Sequence, residues 1–233
     1  NAILGMAQLL ELESPTEKQL DRLRRIEDAS AHLLDIVNDI LDLAKIEAGT
    51  VAVHSEPFNV AKVIEQSTAL LADKARIKRL TLHSTTDDSV PQHLVGDARR
   101  IEQILVNFLS NAIKFTHQGK VSVQASCLQA PAGRLVLRME VSDTGIGIAP
   151  EQLDSLFMPF RQLDHGNARR YGGTGLGLAI SRQLARAMDG DCGVRSKVGQ
   201  GSTFWFAVQV DLGTPPVVPT IKSTELKPDD ALR

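Results

Sequence analysis

The chain has 233 residues, with 26 basic against 28 acidic side chains and a formal charge of -2, long enough for one or two domains with a hydrophobic core. Near-neutral charge excludes a basic nucleic-acid or membrane-surface field, no apolar run approaches the ~20 residues of a membrane span, and no signal peptide opens the chain. Cys127 and Cys192, the only two cysteines, make neither a disulfide framework nor a metal cluster; they read as reduced core or strand residues, with a cytosolic location as the default.

Residues 1–12, with Ile3, Leu4, Ala7 and Leu10 on one stripe, read as the end of an amphipathic helix. The chain opens without methionine and already in this pattern, which suggests a piece of something longer. Ser14-Pro15-Thr16-Glu17 has Ser and Glu three apart with Pro at the first helical position, predicting a capping box and a new helix. Leu20, Leu23, Ile26, Ser30, Leu33, Val37, Ile40 and Ala44 then recur at alternating three and four, widened by Leu34 and Leu41. A helix with so long a seam wants partner helices, and one preceding helix cannot cover it, so a dimeric four-helix bundle is the natural closure. Gly49 ends it.

Mixed elements follow. A short strand is expected at 51–53, then a helix over 60–78 with Val63, Ile64, Ala69 or Leu70, and Leu71 inward. A strand at 80–84 precedes a helix starting at Asp97 on Ile101, Ile104, Leu105, Phe108, Leu109 and Ile113. Segments 120–128 and 134–142 alternate as strands around a turn at Pro131-Ala132-Gly133, a plausible hairpin. Residues 144–174 form a glycine-containing loop whose length points to function. A glycine-led helix over 175–188 and strands at 191–197 and 203–210 complete the pattern, and 212–233, rich in Pro, Thr, Lys and Asp, reads as a linker.

Three stretches carry chemistry. Gly172-Gly173-Thr174-Gly175-Leu176-Gly177 runs into the apolar pattern of a helix, so a backbone able to press its N–H groups on an anion meets a positive helix end. Asn107, Asn111 and Lys114 stand at i, i+4 and i+7, placing two amides and an ammonium on one helical face. A carboxamide oxygen suits Mg²⁺ when a nucleotide brings the negative charge; the competing reading is an ordinary polar face. Third, a strand runs to Asp143 and the turn Thr144-Gly145-Ile146-Gly147, which can offer a carboxylate to the exocyclic amine of adenine. A Rossmann loop fails there because the third glycine is missing and Pro150 follows, and no G-x-x-x-x-G-K-[ST] occurs.

Together these stretches resemble the boxes of sensor histidine kinases. Residues 107–115 resemble the N box, 143–147 the G1 box, Leu156-Phe157-Met158-Pro159-Phe160 the F box and 173–178 the G2 box, in the family's order, and the helix ending Asp39-Ile40-Leu41-Asp42-Leu43-Ala44-Lys45-Ile46-Glu47-Ala48-Gly49 resembles the second helix of its dimerisation domain. The resemblance is to the hybrid type, in which a linker leads to a receiver domain. It implies an α/β fold, a Bergerat-type α/β sandwich with a mixed sheet covered by helices, preceded by a helical hairpin of a dimeric four-helix bundle. The implied domains are a truncated dimerisation and phosphotransfer hairpin at 1–49, an ATP-binding domain at 50–211 and a linker at 212–233.

By the same resemblance Asp143 would bind adenine, Gly145 and Gly147 would line the base, and Asn111 would hold Mg²⁺. Asn107 and Lys114 would approach the phosphates, which the run Gly173, Thr174, Gly175, Leu176 and Gly177 would cradle. Thr203 would support the adenine carboxylate, and Phe157 and Phe160 would anchor a lid. Arg161, Arg169 and Arg170 would neutralise charge in that lid or form a solvated basic loop. His165 stands where the family usually has serine. In related ATPases of the Hsp90 and MutL kind a glutamate matches Asn107; an amide cannot act as that general base, so slow hydrolysis and transfer of the γ-phosphoryl to another acceptor are expected.

In the family the phosphate goes to a histidine in an H-E-x-R-T-P-L segment whose continuation resembles Asn1-Ala2-Ile3-Leu4-Gly5. This places the acceptor just upstream of residue 1 and implies that the piece binds nucleotide without phosphorylating itself. His32 falls outside the seam and reads as a solvent-face residue; His54, His83, His93 and His117 have no metal spacing. The expected partners are ATP, a response-regulator receiver domain and a second copy of the chain.

Overall fold

A computed structural model of the chain describes residues 2–11, 15–47, 52–129, 134–161 and 174–213. Two helices open it, α1 (Ala2–Glu11) and α2 (Glu17–Glu47), packed on one another. The cap of α2 differs from the expected Ser14/Glu17 pair. The helix starts at Glu17, so Thr16 is its cap residue: its N–H and its hydroxyl both reach Gln19 Oε1, at 2.9 and 2.7 Å, and its carbonyl accepts from Leu20. The return half of a box, the N3 side chain on the cap N–H, is therefore made by Thr16 and Gln19, with Pro15 just outside the helix and Ser14 outside the described residues.

At ~1.5 Å per residue α1 covers only about a third of α2. Leu23 is buried, whereas Ile26, Leu33, Leu34, Val37, Ile40 and Leu41 are all exposed, Leu33 at 57%. The seam read from the sequence is thus an apolar face that this chain alone leaves uncovered.

The remainder is a seven-stranded sheet with α3 (Val60–Ile77), α4 (Ala98–Phe115) and α6 (Gly177–Ala187) on one face. The strands are β1 (Glu56–Phe58), β2 (Thr81–Thr86), β3 (Leu94–Gly96), β4 (Lys120–Gln129), β5 (Leu135–Asp143), β6 (Asp191–Lys197) and β7 (Gly201–Leu212). Their order is β1-β3-β7-β5-β4-β2, with β6 also on β7. Only β2 and β4 run parallel; every other pair is antiparallel. The long β7 organises the sheet, since its first half pairs with β6 and its end with β3 along the same edge.

Strict alternation in β4, β5 and β7 gives the sheet one apolar face. Val121, Val123, Leu137, Met139, Val141, Phe204, Phe206 and Val208 point into the core, against Ile101, Ile104, Leu105, Phe108 and Leu109 of α4. Phe108 sits between Phe204 and Phe206, with ring centroids 5.5 and 6.0 Å away. On the other face, Arg138 lies over the Trp205 ring at 4.3 Å. Cys127 and Cys192 are free and buried on β4 and β6, as expected.

Several expectations need correction. No strand occupies 52–55, and Val51 lies outside the described residues; the first strand is Glu56–Phe58, whose partner β3 was not anticipated because both are three residues long and exist through non-local pairing. On α3, Ala69 and Leu70 are exposed and Ser67 is buried in their place, its hydroxyl satisfied by the Val63 carbonyl at 2.8 Å. A four-residue helix, α5 (Pro150–Leu153), lies inside the expected loop. α6 begins at Gly177, two residues late, and β7 is longer at both ends than 203–210. The hairpin turn at 131–133 and residues 214–233 of the expected linker fall outside the described residues. Among the described residues no helix is long and apolar enough to cross a membrane.

Candidate functional site

The site is built on α4. Asp97 caps it: Oδ1 accepts the Arg100 N–H at 3.1 Å, while Oδ2 accepts the backbone N–H of His54 at 2.9 Å, tying the preceding segment to the helix start. With its apolar stripe buried on the sheet, α4 turns the half-buried Asn107, Asn111 and Lys114 to one flank.

The two amides are not free on that flank. Asn107 Nδ2 donates to Ser181 Oγ on α6 at 2.8 Å, and Asn111 Nδ2 approaches Asn107 Oδ1 at 3.4 Å. Gly177, the first residue of α6, lies against Asn107: a Cβ there would lie 2.6 Å from Asn107 Oδ1. Such an atom would have to push the Asn107 amide aside. The cap residue of α6, Leu176, makes no side-chain cap bond of its own. The expected amide face and glycine-led helix start therefore meet.

Around them, Thr174 Oγ1 accepts the Leu176 N–H at 3.0 Å and the Gly175 carbonyl accepts the Phe160 N–H at 3.0 Å. Gly173 lies outside the described residues, as do His165, Arg169 and Arg170. Arg161 is exposed. Of the two expected anchors, Phe157 is held by its ring, 5.4 Å from the Arg182 guanidinium of α6. Phe160 differs: its ring is 66% exposed and its backbone makes the contact, at a φ of 61°.

Asp143 closes β5 at the other end of the site, buried to 9% exposure. Its Oδ1 accepts the Gly145 N–H at 2.7 Å. Burial raises the carboxyl above its ordinary value of 3.8, against the opposing pull of the Gly145 and Ser202 backbone N–H groups. Gly147, at a φ of 69°, lets the turn press on the β6–β7 connection, where a Cβ would lie 2.1 Å from the Lys197 carbonyl oxygen. Ser196 locks that contact: its Oγ accepts the Ile148 N–H at 2.8 Å and lies 2.9 Å from Ser202 Oγ.

The Thr203 side chain makes its contact away from Asp143. Thr203 pairs with Ser142 in the β5–β7 register, and its Oγ1 lies 2.9 Å from Ser142 Oγ on the outer side of the sheet. Alternation sends neighbours in a strand to opposite faces, so Thr203 and Asp143 lie on different sides of the sheet, and it is the neighbouring Ser202 backbone whose pull opposes the effect of burial on Asp143. Lys114 Nζ stands 5.1 Å from the Phe115 ring centroid, and burial, then the charge of Lys78, holds it below 10.5.

The residues that sequence reading missed are Lys78, Ser181, Ser196 and Ser202. Ser181 had a signal, a hydroxyl four residues after Gly177 beside the apolar positions Ile180 and Leu184. The others act through tertiary contacts that no local pattern announces.

Among the described residues no group of three or more His, Cys, Asp or Glu side chains forms a metal cage. Mg²⁺ would therefore depend on phosphate oxygens for charge, with a neutral amide oxygen added by the protein. With Asn107 and Asn111 both using their NH₂ groups as donors and Asn107 Oδ1 accepting from Asn111, the Asn111 carbonyl oxygen is left as an acceptor, and the residues present fit such an ion.

Comparison with known proteins agrees with this geometry. Residues 96–212 match the family of histidine kinase-, DNA gyrase B- and HSP90-like ATPases, and residues 1–49 match the His Kinase A phospho-acceptor domain. The chain is 41% identical over 226 residues to the sensor histidine kinase GacS of Pseudomonas protegens, covering 94% of this chain and 25% of that protein. Over 208 residues it is 41% identical to the hybrid signal transduction histidine kinase B of Dictyostelium discoideum, covering 89% of this chain and 11% of that one. The crystal structure of full-length ShkA in complex with AMPPNP superposes with a TM-score of 0.77 at 33% identity, covering 92% of this chain and 44% of that chain. The chain thus spans about a quarter or less of the two curated relatives, and with its phospho-acceptor-type helices and Bergerat-type α/β domain it belongs to the histidine kinase family.

Proposed function

We infer that this chain is the catalytic core of a hybrid-type two-component sensor kinase that binds ATP with Mg²⁺ and passes the γ-phosphoryl to a histidine, and thence to a receiver-domain aspartate. The observation that carries the reading is the meeting of Asn107 on α4 with Gly177 at the start of α6, with the buried Asp143 carboxylate closing the site at the strand end. ShkA, of the same fold, was crystallised with AMPPNP, which favours an adenine nucleotide here too.

In this reading Asp143 accepts the adenine amine, and Gly145 and Gly147 shape the wall beside the base. Gly173, Thr174, Gly175, Leu176 and Gly177 form the cradle for the phosphates, with Asn107 and Lys114 alongside. Asn111 would hold Mg²⁺, whose chemistry is to neutralise phosphate charge and align the transferred group. No carboxylate stands at position 107 to activate water, so the phosphoryl group is retained for the histidine. Residues 1–49 serve as the dimerisation and phosphotransfer segment, 50–211 as the ATP-binding domain and 212–233 as a linker. The exposed seam on α2 is the surface a second copy would cover.

Two measurements test this. Titration calorimetry with ATP and Mg²⁺ should show one site per chain, and no heat at millimolar nucleotide overturns the reading. For transfer, a chain extended to include the family's H-E-x-R-T-P-L segment should take up label from γ-labelled ATP, with His32→Ala unaffected. Label that vanishes with His32 would reassign the acceptor.

A further inference from the structure

We propose that Ser181 is a positioning residue that sets the direction of the amide chain running from α6 to the metal-bearing end of the nucleotide site. The inference rests on the reading above and assigns a role to a side chain that touches neither nucleotide nor ion.

Ser181 is 2% exposed and stands one helical turn after Gly177, on the same flank of α6. Its Oγ takes the Nδ2–H of Asn107 at 2.8 Å. A carboxamide has one donor end and one acceptor end, so engaging the NH₂ group with Ser181 turns Oδ1 the other way. That oxygen lies at the first turn of α6, 2.6 Å from where a Cβ on Gly177 would be, and it faces the Asn111 NH₂ at 3.4 Å. Asn111 thereby also spends its donor end, and its own carbonyl oxygen is left as the open acceptor of the chain. Read from the buried end, the order is hydroxyl, amide, amide, open oxygen.

The direction matters because a cation is attracted to the oxygen of an amide and repelled by its NH₂ group. Without the hydroxyl, Asn107 can rotate about its terminal bond, and Asn111 loses the acceptor that orients it. The loss should fall on the metal-dependent part of nucleotide affinity and spare the base end, where Asp143 and Gly145 are held by β5 and the β6–β7 connection. A merely structural role for Ser181 would lower affinity equally with and without metal. Replacement by alanine suits the helix, since alanine is the better helix former, and Ser181→Cys keeps a heavy atom at the γ position while making it a weak acceptor.

The experiment compares wild-type chain with Ser181→Ala and Ser181→Cys. ATP affinity is measured with Mg²⁺ and with EDTA, and the Asn107 side-chain NH₂ is followed by NMR hydrogen exchange in nucleotide-free protein. The expected result is about a tenfold loss of ATP affinity with Mg²⁺, none with EDTA, and faster exchange of the Asn107 NH₂ in both variants. Equal losses in the two conditions, unchanged affinity, or unchanged exchange would overturn the proposal. Wild-type protein that binds no ATP in either condition would sink the nucleotide-site reading and this inference together, whereas normal wild-type binding with indifferent variants sinks this inference alone.

Discussion

The ammonium of Lys78, just beyond the end of α3, donates to the backbone carbonyl of Lys114 at 2.8 Å and to that of Ile113 at the same distance. It thus serves the last turn of α4, whose carbonyls have no partners within the helix, with a cation from another helix. Lys78→Met should cost about 1–2 kcal/mol, read as a fall in melting temperature of about 3–6 °C. Burial lowers Lys78 below 10.5, and burial with the charge of Lys78 lowers Lys114. A lysine that loses its proton more readily when folded leaves the unfolded chain holding more protons in the interval from the lowered value up to 10.5. Stability therefore gains from these groups as pH rises through that interval. Lys78→Met should flatten this gain in denaturation series taken across alkaline pH; an unchanged slope would show that Lys78 contributes nothing to it.

Asp143 should govern base selectivity. Asp143→Ala is expected to abolish the preference for ATP over GTP in competition binding, because the acceptor for the adenine amine is gone; retained preference would remove it from that role. Since burial raises its pKa above 3.8, protonation on acidification begins at higher pH than for an ordinary aspartate. A protonated carboxyl is the poorer acceptor, so ATP preference should fade as pH drops through the raised value, and no such fading should appear in Asp143→Ala.

Asn111→Ala should eliminate most of the Mg²⁺ dependence of ATP affinity, which titrations at fixed ATP and varied metal would measure. A dependence equal to that of wild type would point to another ligand.

Gly177→Ala places a methyl 2.6 Å from Asn107 Oδ1, forcing that amide aside, while the fold gains from alanine's helix propensity. Nucleotide affinity should fall by about one to two orders of magnitude, the equivalent of ~1.5–3 kcal/mol, with melting temperature nearly unchanged. A large loss of stability with normal affinity would place the contact in packing alone.

On α2, Leu33→Glu combined with Val37→Glu puts charge into a seam that is exposed in the single chain. Sedimentation should show a dimer for wild type and monomer for the variant, with little change in folding, because neither residue is buried within the chain. A dimer that survives both charges would locate its interface elsewhere.

Local pattern alone settled much of this protein. The 3.6 period of α2, α3, α4 and α6 and the two-residue alternation of β4, β5 and β7 follow from which side chains must leave water, so those elements could be read within a few residues of their ends. Asn107, Asn111, Asp143 and the G2 glycines could be named because unusual residue types interrupt apolar patterns. What only the tertiary structure decided is who meets whom. Strand register decided that Thr203 meets Ser142 and faces away from Asp143, since a one-residue step moves a side chain to the opposite face. Short β3 exists because β7 offers it an edge, and β1 because β3 does in turn. Asn107 is joined to Ser181, 74 residues away, because the sheet brings α4 and α6 together. Hydrogen bonds between segments so far apart leave no periodic trace in a sequence, and it is these contacts that turn separate boxes into one site.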